Sequence, residues 1–314
     1  MVERRLLLLV GLLVLACGLF LLWNLRSPVG FILSLRFTKL AALCVVGAAI
    51  GTATVLFQTI AANRMLTPGI VGFDALFVFI QTVLVLTLGG VGFAALPSLA
   101  QFGMETAVLM IAALALFSVL LRNGAEDILR LVLTGVILGV LLRGLAGLAQ
   151  RLLDPSEFSI VQQATFATFG AVDKTQLAIA ALILGVSMAG ALRIARFLDM
   201  VALGRNVALP LGVDYDRVVF LALGLVALLV ATSTALVGPI TFLGLLASSL
   251  AHAVLPTWRH ARLLPAAALI GATILVSGQF VFERLLGLQS TLTVVVEFAG
   301  GVLFLFLVLR RPRP

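Results

Sequence analysis

Long apolar runs alternate with short polar breaks along the whole chain. Ten runs are long enough to be candidate membrane spans, at about residues 6–23, 38–60, 74–90, 104–121, 131–149, 175–192, 218–237, 239–254, 264–282 and 291–309. A helix that is apolar on every face must be surrounded by lipid or protein, and about 20 such residues cross the hydrocarbon layer. The run 239–254 is short and opens on Gly238-Pro239, which predicts a half-length or tilted helix. The longest charged interruption is Arg193 to Arg217, with Arg193, Arg196, Arg205 and Arg217 beside Asp199, Asp214 and Asp216. Its interior, Val201-Ala202-Leu203-Gly204 and then Val207-Ala208, mixes apolar and small residues with charge. That pattern suits short amphipathic helices lying on a partner; a solvated connector is the competing reading.

Composition turns these runs into a class. Apolar residues make up 62% of the 314 positions, charged residues 11%, and mean hydropathy is +1.24. Such a chain is an integral membrane protein of the all-α class, about ten helices in one transmembrane domain over residues 1–314, with no room for a separate soluble domain. The net charge of +8 could suggest nucleic acid, yet the basic residues stand in ones and twos at the ends of spans. Retention of cytoplasmic loops explains that spacing and implies membrane lipid, not nucleic acid, as the surrounding partner. With the N-terminus inside, the cytoplasmic breaks hold Arg4, Arg5, Arg64, Arg122, Arg130, Arg193, Arg196, Arg205, Arg217, Arg259, Arg262, Arg310, Arg311 and Arg313, against Arg26, Arg36, Lys39, Arg151, Lys174 and Arg284 outside: 14 against 6. Both termini are therefore expected in the cytoplasm.

The N-terminal run through Cys17 has some features of a lipoprotein signal, but Leu19 to Trp23 carry it on to spanning length, so an uncleaved first helix is the expectation. Cys17 and Cys44 both fall inside spans, where neither a disulfide nor a metal site is expected. Gly47/Gly51 and Gly135/Gly139 are GxxxG steps, which let helix backbones approach closely.

Catalytic constellations are missing. No phosphate loop of the GxxxxGK[ST] type occurs, and Lys39 and Lys174 are the only lysines, so ATP hydrolysis is not expected on this chain. His252 and His260 do not form a HExxH pair, and no cofactor or metal is implied. Ser187 lies in a near miss of a GxSxG elbow inside a span. Glu297 sits within the last span, where an acid marks either function or a hydrogen bond between helices. Asp74 and Glu105 fall near span ends, where a carboxylate can reach water, Asp74 at a helix start. Arg36, Lys39 and Arg284 run against the inside bias; they either snorkel to headgroups or offer exposed cations to carboxylates of a soluble partner.

Several stretches in order resemble one family, the iron-siderophore and vitamin B12 permeases (FecCD-like) of bacterial ABC importers. Arg36-Phe37-Thr38-Lys39 is similar to its arginine-x-proline-arginine signature, and Asn63-Arg64-Met65-Leu66-Thr67-Pro68-Gly69-Ile70-Val71-Gly72 to its turn after the second span. Ala202-Leu203-Gly204 with Leu211-Gly212-Val213 resembles its coupling loop; Gly238-Pro239-Ile240-Thr241-Phe242-Leu243-Gly244-Leu245 and Arg262-Leu263-Leu264-Pro265 resemble its two following motifs. The sequence departs at Thr38 (proline in the family), Arg205 (glutamate) and Ser248-Ser249 (proline-histidine). Phe57-Gln58-Thr59-Ile60 and Gly72-Phe73-Asp74-Ala75-Leu76 resemble the branch for ferric siderophores, often of catecholate type.

The resemblance implies a permease subunit of the fold shared with the vitamin B12 permease, in the bacterial inner membrane, carrying ferric siderophore. Cobalamin or haem is the alternative cargo, and an ion-coupled secondary transporter the alternative class. It implies a separate cytoplasmic ATPase, a periplasmic or lipid-anchored siderophore-binding protein, and a second permease subunit, identical or related. It makes Val201, Ala202, Leu203, Gly204, Arg205, Leu211 and Gly212 the ATPase-coupling contacts within a loop of two short helices over 193–217. Arg36, Lys39 and Arg284 become docking positions, and Asp127, Ile128 and Leu129 an inner gate.

Overall fold

The computed structural model describes residues 2–24, 28–121, 128–170, 172–287 and 292–309. Among these, all regular structure is helical: α1 (Val2–Leu22), α2 (Val29–Ile60), α3 (Asp74–Ala94), α4 (Ser98–Leu121), α5 (Ile128–Gln150), α6 (Pro155–Ala164), α7 (Lys174–Val201), α8 (Arg205–Ala208), α9 (Tyr215–Val237), α10 (Leu243–Val254), α11 (His260–Phe280) and α12 (Leu292–Leu309). Among the described residues eight are long and apolar enough to cross a membrane; α10, at 12 residues, is shorter. Each of the ten runs read from the sequence becomes a helix.

Three differences have local causes. The seventh helix does not stop near 192, because Ala195, Leu198 and Val201 keep a three-residue spacing on its buried face while Arg193 and Arg196 face out. At 28 residues α7 is about 42 Å long, more than the hydrocarbon layer needs. The stretch 193–217 is thus the end of α7, one four-residue helix α8, and the start of α9, where the sequence reading placed two short helices. The second difference is α6, which the sequence reading left inside a polar break. The backbone N–H of Asp154 donates to Glu157 Oε2 (3.3 Å) and Pro155 supplies a fixed first φ, which together start a helix. Glu157 Oε1 also accepts from Gly90 N at 2.9 Å, satisfying a donor freed where α3 kinks at Gly89 (φ +71°). The third is Glu105, which is buried and accepts from Gln101 Nε2 (2.9 Å) rather than reaching water.

Packing centres on α2, which crosses α7, α9 and α10 and lies closest to α11. A β-carbon at Gly47 would come 2.6 Å from the carbonyl oxygen of Gly271, and one at Gly51 would land on that of Ala267. Gly135 and Gly139 meet Val71 and Gly72 in the same way. Both GxxxG steps are therefore places where backbones touch, which is how helices hold together when lipid offers no hydrophobic incentive. Local caps fix the helix starts: Asp173 accepts from the backbone N–H of Thr175 (2.7 Å) and Gln176 (3.2 Å) at α7, and Asp214 from that of Arg217 (3.2 Å) at α9. The Thr175 bond, with Gln176 second, holds the Asp173 carboxyl below the usual carboxylate range. Its support of α7 is complete at neutral pH and is lost as pH falls through that lowered value.

Candidate functional site

The residues singled out in the sequence gather into two clusters, at opposite ends of the bundle. The first is the end that the arginine count places in the cytoplasm. There Val201 closes α7, Gly204 turns the chain with φ +91°, α8 follows, and Gly212 turns it back with φ +79°. Val201, Ala208, Val213 and Tyr215 are buried beneath the loop. Leu203 (59% exposed), Val207, Leu209 and Leu211 (56% exposed) project from it, with the exposed Ala202 and Gly212 on either side of them in sequence. Arg205 forms a two-pronged pair with Asp216, Nη1 to Oδ1 at 2.6 Å and Nη2 to Oδ2 at 3.0 Å, and its guanidinium lies 5.7 Å over the Tyr215 ring. The stretch is a rigid knob: apolar side chains outward, a buried base, and two positive-φ glycines that set its corners. A partner surface can seat on it.

Beside the knob, Arg5 Nη1 donates to the Val254 carbonyl (2.5 Å), Arg262 approaches Glu3 (3.8 Å), and Gln58 Nε2 donates to the Arg64 carbonyl (2.6 Å). These contacts place α1, the end of α10 and the turn after α2 at the same end. Ile128 and Leu129 open α5; Asp127, the third gate position, lies outside the described residues.

The second cluster is at the other end. Arg36, Lys39 and Arg284 share a cavity of about 860 Å³ with Asp173, Lys174 and Glu283. The sequence leaves the three cations either snorkelling to headgroups or exposed to a partner; in the structure Arg36 does neither, and Lys39 and Arg284 are partly buried. Arg36 is only 6% exposed, and its Nη1 donates to the carbonyls of Leu21 and Trp23 (2.8 Å each) and Nη2 to that of Asn24 (3.3 Å). It closes the C-terminus of α1, whose last carbonyls have no intrahelical donor. Lys39 Nζ pairs with Glu283 Oε2 at 2.6 Å, Gln279 Nε2 donates to the same oxygen (3.1 Å), and Arg284 Nη2 is 3.5 Å from Glu283 Oε1. The Nε atoms of Arg36 and Arg284 are buried with no hydrogen-bond partner among the described residues. Nothing in the sequence pointed to Glu283, because its partner Lys39 lies on another helix.

Inside the bundle, Asp74 is buried at the start of α3 and accepts from Thr241 Oγ1 at 2.5 Å. Glu297 on α12 is half-buried and within electrostatic reach of it. No group of three or more His, Cys, Asp or Glu side chains that could hold a metal ion occurs among the described residues.

Comparisons with known proteins bear on the family and the fold. The model of the FecCD transport family matches residues 7–310. The petrobactin import system permease protein YclO of Bacillus subtilis (strain 168) is 38% identical over 308 residues, which is 98% of this chain and 98% of that protein. The petrobactin import system permease protein FatC of Bacillus anthracis is 30% identical over 276 residues, 88% of this chain and 78% of that one. A solved structure of a metal-chelate type ABC transporter in an inward-facing conformation superposes with a TM-score of 0.84 at 24% identity, covering 99% of this chain and 100% of that chain. The last of these speaks for the fold.

Proposed function

This chain belongs to the FecCD transport family, and from that premise we propose that it is the permease subunit of an ATP-driven importer of ferric siderophores, petrobactin-like chelates first among them. The chain is a multi-pass protein of the bacterial inner membrane, a transport subunit rather than an enzyme. Force must then come from another chain. The observation that carries this reading is the apolar knob Val201 to Gly212, whose exposed Leu203, Val207, Leu209 and Leu211 fit a groove on a cytoplasmic ATPase. Such a contact does work only if it differs between the two states of the ATPase, since equal contact in both biases nothing. At the other end, the cavity of Arg36, Lys39 and Arg284 is proposed as the landing place for acidic side chains of a substrate-binding protein.

The test is uptake of radioactive iron by proteoliposomes holding this chain with its co-purifying ATPase, second permease and binding protein. Nucleotide-dependent uptake of ferric petrobactin is expected. Uptake without an ATPase would end the reading, and uptake of cobalamin or haem instead would move the cargo. Glu297→Gln serves in the same assay: unchanged ATP-driven uptake is expected, whereas its loss would favour an ion-coupled carrier.

Docking has its own prediction. Lys39→Glu with Arg284→Glu should weaken the binding protein by about tenfold to a hundredfold, since close interfacial charge pairs are worth roughly 1.5 kcal/mol or more each. The loss should shrink as salt is raised. Unchanged affinity by surface plasmon resonance would return both residues to a purely intrachain role. Arg36→Glu is expected instead to loosen α1, because it strands the carbonyls of Leu21, Trp23 and Asn24.

A further inference from the structure

Three helix ends meet directly beneath the knob. Asp199 lies in the last turn of α7, two residues before Val201; His260 opens α11; Thr59 stands in the last turn of α2. One carboxylate oxygen, Asp199 Oδ1, accepts from the His260 backbone N–H at 2.8 Å and lies 2.6 Å from His260 Nδ1. The far ring nitrogen, Nε2, shares a 2.7 Å hydrogen bond with Thr59 Oγ1, whose hydroxyl also lies 2.8 Å from the Val55 carbonyl. His260 is 4% exposed.

A cap alone would not need this arrangement. The starts of α7 and α9 are capped by aspartates next to them in sequence, Asp173 and Asp214. Arg259, at the corresponding position of α11, makes no side-chain cap bond, and the donor at the start of α11 is met from α7. The histidine ring then carries the connection on to a third helix.

The mechanical setting gives the connection a use. α2 and α11 touch backbone to backbone at Gly47, Gly51 and Gly271, so sliding one past the other would break close backbone contacts, and the pair forms a tightly packed body. α7 meets its neighbours through side chains, Gly190 resting on Leu225 of α9 for example, and such contacts slide more easily than hydrogen bonds of 2.6 to 2.8 Å. We propose that Asp199, His260 and Thr59 form the joint that carries displacement of the knob from α7 into the α2/α11 body, making them positioning residues for transport. The proposal rests on the coupling reading above. With the joint intact, a push on the knob tilts α7 and the α2/α11 body together. With it broken, α7 moves and the body lags.

The experiment uses the complete complex in proteoliposomes and reads ATP hydrolysed per ferric chelate imported. Wild type must first show nucleotide-dependent uptake; failure there sinks the functional reading, not the joint. On a working wild type, Asp199→Asn, which keeps an acceptor oxygen but removes its charge, and Thr59→Val, which removes the hydroxyl, are each expected to raise the ratio about tenfold, the effect of weakening or losing one buried hydrogen bond, with assembly and ATPase rate retained. Thr59→Ser, which keeps the hydroxyl, should restore the wild-type ratio. If Asp199→Asn fails to fold, the Thr59→Val and Thr59→Ser pair decides alone, because valine keeps the volume of threonine. An unaltered ratio in Thr59→Val, or uptake and ATPase rate falling in proportion, would overturn the joint and leave a structural contact.

Discussion

Ala202→Glu is expected to abolish chelate uptake while the complex goes on hydrolysing ATP. Ala202 is exposed, follows the buried Val201, and is flanked by Leu203 with 59% of its surface free. On the reading above, that surface is covered when the ATPase seats. A carboxylate placed there would be taken out of water with no cation provided for it, a cost of about 3 kcal/mol or more. A penalty of that size corresponds to a loss of about a hundredfold in productive engagement. Hydrolysis itself resides on the partner and persists, so the defect appears as uncoupling. Gly204→Ala tests the same knob by another route. Its φ of +91° disfavours any β-carbon although nothing lies within 4 Å of one, so the damage is backbone strain, about 1–2 kcal/mol, and a milder defect is expected. Uptake, ATPase rate and co-purification measured together separate these outcomes. Normal uptake in Ala202→Glu would make the stretch a solvated connector.

What the sequence revealed follows from the range of its signals. Runs such as 38–60 and 218–237 are predominantly apolar over spanning length, and spanning helices were legible there because crossing the hydrocarbon layer requires that composition locally. The apolar phase of Ala195, Leu198 and Val201 was also present, but the arginines between them masked it, and α7 was read as ending too soon. Asp154-Pro155-Ser156-Glu157 carried the start signal of α6, which a search for long apolar runs passes over. The candidate site was legible as positions and not as contacts. Arg36 is legible in sequence only as snorkelling or exposed, because charge at a span boundary points to headgroups or water by default; its partners are backbone carbonyls at the end of a different helix, which no residue type announces. Lys39 and Glu283, or Asp199 and His260, pair across helices that only the fold brings together. His260 was weighed as a metal ligand and set aside, and its role between two helices had no sequence signal.

Gly51→Ala is expected to destabilise the bundle and to cost it transport, although the change adds a single methyl group. In most helices the change from glycine to alanine helps, by about 1 kcal/mol of propensity. At Gly51 the new methyl would occupy the place of the Ala267 carbonyl oxygen and come 2.8 Å from its carbon. Both are backbone atoms, so no rotamer change relieves the clash. Either α2 and α11 move apart, giving up the contact at Gly47 and Gly271 one turn away, or the chain carries the strain; overpacking of this kind costs about 1–3 kcal/mol, and rigid neighbours put it at the upper end. The loss also reaches function, since the body that the joint would drive would no longer be one body. Gly18→Ala on α1 is the matched control: nothing lies within 4 Å of its would-be β-carbon, and the propensity gain should stand. Thermal challenge of the detergent-solubilised chain, followed by size-exclusion chromatography, reads both. A lower midpoint for Gly51→Ala beside an equal or higher one for Gly18→Ala is the expected result. Equal midpoints would mean that α2 and α11 are not in backbone contact, and the rigid pair on which force transmission depends would be lost with it.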